Sequence, residues 1–76
     1  MSTVISFYKF MIENYIKDDS PMGDLARDMK SDCDFPRRSI CYTNIYYYLI
    51  KKNACPECLA SFHEAWKEYK AGRDLY

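Results

Sequence analysis

Cys55-Pro56-Glu57-Cys58 is the segment of this sequence whose residue types and spacing come nearest to a reactive site. Two thiols with two residues between them can chelate zinc or run disulfide exchange at a helix N-terminus. A structural zinc site wants four ligands. The remaining cysteines, Cys33 and Cys41, are separated by seven residues in no knuckle-like spacing, and His63 is the sole histidine. On a helical wheel Cys55 and Cys58 fall on the same side as Leu59, Phe62, Ala65, Trp66 and Tyr69. Core packing is therefore the expectation for both thiols, ahead of zinc or redox exchange. His63 beside Glu64 suggests acid–base work, yet neighbours on a helix diverge by about 100° and cannot face one substrate. An imidazole at the margin of the core is expected instead. No Ser/His/Asp set can form around a single histidine, and Gly23 and Gly72 alone make no phosphate loop. No catalytic residue, metal or cofactor is expected, and the chain is read as a non-enzyme.

A second constellation is basic and aromatic. Tyr46, Tyr47 and Tyr48 take three directions on one helix, so they cannot all be core. Tyr47 points most nearly away from Ile45 and Leu49, with Lys51 one turn beyond it. With Tyr48, Arg37, Arg38 and Lys52 this set could stack bases and hold phosphates, or serve as an aromatic and arginine hot spot for a protein. Ile12 and Ile16 form a second apolar strip on the first helix. Eleven bases balance eleven acids. Nucleic-acid affinity is driven largely by phosphate neutralisation, so neutrality favours a protein partner. Residues 1–36 carry four bases and seven acids and residues 37–76 carry seven and four, an asymmetry suited to head-to-tail or heterotypic docking.

These side chains need a scaffold, and 76 residues allow one small domain. Eight Tyr, four Phe and one Trp supply the large side chains that so small a core requires. Ser6 caps a first helix reaching about Lys17, with Phe7, Phe10, Met11 and Asn14 on one face. Ser20 and Pro21 start a second, which carries Leu25, Ala26 and Met29 and ends near Ser31. Asp32 to Ser39 has no period and reads as a structured loop with Phe35 tucked inward. A third helix spans about Ile40 to Lys52, burying Tyr42, Ile45, Tyr46 and Leu49. Asn53 to Cys55 link it to a long final helix opened by Pro56, which carries Leu59, Phe62, Trp66 and Tyr69 and is ended by Gly72. The expected architecture is all-α, with tails at 1–5 and 73–76 around a single domain at 6–72. The N-terminus lacks a basic leader and a long apolar run, so a cytoplasmic location with reduced thiols is expected.

In order, Ser6-Phe7-Tyr8, Asp32-x-x-Phe35-Pro36-Arg37, Tyr42-x-x-Ile45-x-x-Tyr48-Leu49 and Phe62-x-Glu64-Ala65-Trp66-x-x-Tyr69 resemble the YozE-type SAM-like family of small Gram-positive bacterial proteins. The resemblance covers about residues 6 to 70. It implies a compact SAM-like bundle of four or five helices, a fold that often self-associates or docks, and it carries no established activity. The family pattern favours an acidic residue where Cys41 stands, another near Asn44 and Asp where His63 stands, and the Cys55–Cys58 stretch is atypical, so the resemblance is to a divergent member.

The functional expectation is a non-catalytic helical module, an accessory subunit docking on a larger cytoplasmic protein such as a nucleic-acid-processing enzyme. Its expected contact residues are Arg37, Arg38, Tyr47, Tyr48, Lys51, Lys52, Ile12 and Ile16. Direct DNA or RNA binding by the C-terminal half is the alternative, with a zinc or redox site at Cys55 and Cys58 behind it. No membrane contact is expected, and self-association is an open option.

Overall fold

Short polar caps decide where the first two helices begin. In the computed structural model, which describes residues 5–73, Ser6 Oγ accepts the Lys9 N–H at 3.2 Å and starts α1 (Phe7–Tyr15). Ser20 Oγ accepts the Gly23 N–H at 3.2 Å, and Pro21 occupies the first turn of α2 (Pro21–Ser31). The other two helices are α3 (Tyr42–Lys51) and α4 (Pro56–Arg73). The described residues contain four helices and no strand, as expected of the fold class.

Three helix boundaries differ from the sequence reading, two of them for a local reason. α1 stops at Tyr15, short of Lys17, because the Arg27 guanidinium takes the carbonyls of Ile16 and Asp18 and the Asp18 N–H turns back to Tyr15. α3 begins at Tyr42 rather than Ile40. The Ser39 hydroxyl accepts from the Cys41 N–H and the Asn44 amide, holding Cys41 extended. Gly72 lies inside α4, which continues to Arg73. Of the expected tails, residues 1–4 and 74–76 lie outside the described residues.

The turn after α3 is a full Schellman motif. Asn53 sits at φ 59°, its N–H bonds the Ile50 carbonyl, and the Ala54 N–H reaches back to the Leu49 carbonyl. Asn tolerates this left-handed position better than most side chains, which sends the chain directly into α4.

α4 is the common wall of the fold, lying against α1, α2 and α3. Phe7 is fully buried, with its ring 5.4 Å from Phe62, 5.2 Å from Trp66 and 5.5 Å from Tyr69. Such offset and edge-on aromatic pairs add to the burial of their large areas. Met11, Leu25, Ala26, Met29, Ile45, Leu49 and Ala65 complete the core, and Phe35 seals it from the loop at 4% exposure. Two phenols tie the termini of the domain together. Tyr69 Oη donates to the Ile5 carbonyl at 2.7 Å, and Tyr15 Oη donates to Glu68 at 2.6 Å. α1 and α2 meet at Gly23, where a Cβ would lie 1.9 Å from the Asp18 carbonyl oxygen. Only glycine permits that approach.

Candidate functional site

Of the helices, α3 approaches α4 alone, so much of its circumference is left outside the bundle. Its inner face is fixed by Ile45 and Leu49 in the core. Tyr42 and Tyr46 lie half-buried at the margin, stacked on each other at 5.7 Å, with Tyr42 also stacked on Phe62 at 5.1 Å. The outer face carries Thr43, Tyr47, Ile50 and Lys51, all exposed and spaced as neighbours on a helix surface. Tyr47 is 65% exposed and Ile50 43%. The Tyr46 ring braces Tyr47 edge-on at 5.9 Å, so the exposed phenol starts from a supported position.

Tyr48, one residue on, has a different fate. Its ring meets Phe35 edge-on at 5.5 Å and its hydroxyl donates to Asp32 Oδ2. Burial and then that bond push the phenol up to about 12. In return the hydrogen bond from Tyr48, seconded by the Asp34 N–H, holds the Asp32 carboxyl below its ordinary range. Tyr48 is thus a clamp between α3 and the 32–39 loop rather than a free contact residue.

The expected basic corner is likewise divided. The Arg37 guanidinium lies 4.9 Å over the Tyr8 ring and donates to the Lys30 carbonyl. Lys52 sits 5.6 Å over Tyr48 and 3.9 Å from Asp34. Both help to hold the loop. Arg38 and Lys51 are exposed. Ile12 and Ile16 are half-buried, and Ile16 packs against the core, so the second strip of α1 is largely covered. The acidic and basic halves of the sequence do not occupy opposite ends, because α4 from the basic half lies directly on α1 and α2.

The thiols depart most from expectation. Cys33, Cys41 and Cys55 are exposed, and Cys58 is half-buried. The wheel puts Cys55 on the core face, but the residue precedes the helix, where its Sγ accepts the Cys58 N–H at 3.4 Å. Both line an open groove of about 480 Å³ between the starts of α2 and α4, along with Asp24, Leu25, Asp28 and Glu57. Burial, then Cys55 and Asp28, raise the Cys58 thiol. His63 is exposed rather than marginal to the core, with Tyr42 edge-on at 6.3 Å, and it does not line this groove. Among the described residues no group of three or more His, Cys, Asp or Glu is placed to hold a metal ion.

The helical wheel selects Tyr47 and Lys51 but the sequence reading passes over Ile50, although its spacing of three from Tyr47 carries the signal. Nothing in the sequence signals that Asp28 faces Cys58.

Among the described residues no helix is long and apolar enough to cross a membrane. No curated protein and no solved structure matches the chain. Residues 6–71 match the family model described as the YozE SAM-like fold, which spans all four helices almost end to end, and the chain belongs to that family.

Proposed function

We propose that this protein is a non-catalytic docking module whose contact surface is the outer stripe of α3. The observation that carries this is the pairing of Tyr47, 65% exposed, with Ile50, 43% exposed, on adjacent turns of the helix that touches only one other. A tyrosine braced by Tyr46 loses little side-chain freedom on binding, and an aromatic anchor beside an aliphatic one and a cation has the composition of an interface hot spot. Lys51 and Arg38 supply the polar rim. The partner is a larger protein, and the chain acts as its accessory subunit.

Direct binding of DNA or RNA is the second reading, favoured by the exposed Tyr47 beside Lys51. It is weaker because Arg37 and Lys52 already serve Tyr8 and Asp34, which leaves few cations for phosphates. A pull-down from the native host tests the proposal, comparing the wild type with a Tyr47→Ala, Ile50→Ser double variant. A stoichiometric partner held by the wild type and lost by the folded variant is expected. A wild type that brings down no stoichiometric partner, or a partner retained by the variant, would contradict it. Nucleic acid released by salt and by Arg38→Ala or Lys51→Ala would favour the second reading.

A further inference from the structure

The geometry points to a dithiol–disulfide couple at Cys55 and Cys58, with Cys55 as the attacking sulfur and Cys58 as the resolving one, on a face separate from α3. The packing role expected from the wheel does not apply to Cys55, which is exposed. Nor does the position call for cysteine as a cap, since Ser, Thr, Asp and Asn do that better and this chain uses serine before α1 and α2. What cysteine adds at that place is a sulfur that already accepts the Cys58 N–H and so is directed at the residue carrying the second thiol. Pro56 fixes the backbone of the intervening turn. Cys55 Sγ already lies 3.4 Å from the Cys58 backbone nitrogen, so side-chain rotation with a small closing movement brings the sulfurs to bonding distance.

The two thiols are unequal in the way such a couple requires. Cys55 opens to solvent and meets an incoming disulfide first, while half-buried Cys58 is screened from it and acts on its neighbour. Cys41 provides an internal contrast. It too is exposed and stands at a helix N-cap, yet its side chain makes no capping bond and no second thiol stands three residues on. The step balances with a low-molecular-weight disulfide, R–S–S–R, as oxidant. Cys55 loses its proton to water and its thiolate attacks one sulfur, forming Cys55–S–S–R and expelling R–S⁻, which takes up a proton. Cys58 then loses its proton to water and attacks Cys55 Sγ, closing the intramolecular bond and expelling the second R–S⁻, which is protonated in turn. Two protein thiols are oxidised and one disulfide is reduced to two thiols.

The groove also selects the charge of its reactant. Asp24, Asp28 and Glu57 line it; Asp24 is paired with Arg27, which leaves Asp28 and Glu57 to set the local sign. A disulfide with cationic arms is preferred over an anionic one, and the preference fades as salt screens it.

The test uses the full chain, equilibrated with cystamine or with glutathione disulfide, each against its own thiol, then alkylated and mapped by mass spectrometry. The expected result is a loss of about 2 Da localised to a Cys55–Cys58 bond while Cys33 and Cys41 remain alkylated. Cystamine should react at Cys55 roughly three-fold or more faster than glutathione disulfide at low salt, a gap that narrows at high salt. Cys58→Ser should stall as the mixed disulfide on Cys55. Failure of wild type to close across the whole oxidising range would overturn the couple, as would adducts spread evenly over Cys33, Cys41 and Cys55. The wild-type mapping needs no variant, so it decides the matter even where Cys58→Ser fails to fold.

Discussion

Phe7 and Tyr47 are both large aromatics on helices of similar length, and they mark the two ways this molecule uses such side chains. Around Phe7 the rings of Phe62, Trp66 and Tyr69 converge from α4, and nothing of Phe7 reaches solvent. Around Tyr47 a single ring, Tyr46, gives support and 65% of the residue is open. The difference comes from the partner helix rather than the residue. α1 is wrapped by α2 and α4, whereas α3 has α4 alone. An aromatic in the first setting stabilises the fold; in the second it is surplus to the fold and available to something else.

Breaking the inner region should have the largest effect. Phe7→Ala removes a fully buried ring and leaves a cavity among three others, with an expected loss of about 3–5 kcal/mol, enough to unfold much of a domain this small. Denaturant midpoints by circular dichroism will measure it, and a loss under about 1 kcal/mol would mean that the cluster is not the core. Gly23→Ala comes next, because its Cβ would collide with the Asp18 carbonyl and push α2 from α1. The expected cost is about 1–3 kcal/mol, read in the same assay.

The boundary between the two regions is Tyr48, and pH sharpens it. Asp32, held below its ordinary value of 3.8, contributes stability that is present above that value and lost as pH falls through the lower folded-state one. The Tyr48 phenol, raised from 10.0 to about 12, contributes stability that is complete below pH 10.0 and lost as pH climbs towards about 12. Tyr48→Phe should weaken both dependences and remove one of the late-titrating phenols seen by ultraviolet absorbance. Tyr15, raised to about 12 by burial and then by Glu68, remains as the other. An unchanged phenol titration would place Tyr48 away from Asp32. The smallest effect on folding belongs to Tyr47→Ala, expected to fall within about 0.5 kcal/mol of wild type.

Much of this contrast is legible in the letters. Ser6, Ser20 with Pro21, and Pro56 mark helix starts through local chemistry that depends only on near neighbours, and Pro36 marks a non-helical loop at Phe35, whose ring is buried against Tyr8 and Tyr48. The wheel also separates Tyr47 from Ile45 and Leu49. It fails where long-range partners decide. Tyr48 is taken by Asp32 and Arg37 by Tyr8, pairs 16 and 29 residues apart that no periodicity reveals. It fails too at Cys55, because a wheel extended past the helix start assigns a face to a residue that has none. Membership of the family is legible in the ordered motifs, since these are largely the residues that build the core and its caps.

If the outer stripe of α3 serves adhesion and not folding, a probe placed on it should find a partner without disturbing the bundle. A photo-crosslinking side chain at position 47, introduced in the cells that encode the protein, supplies that probe, with position 70 on the exposed part of α4 as the reference. One discrete protein adduct is expected at 47 and none at 70, from a chain that folds as stably as wild type. The same weak, unselective pattern at both positions would mean that α3 holds no docking surface.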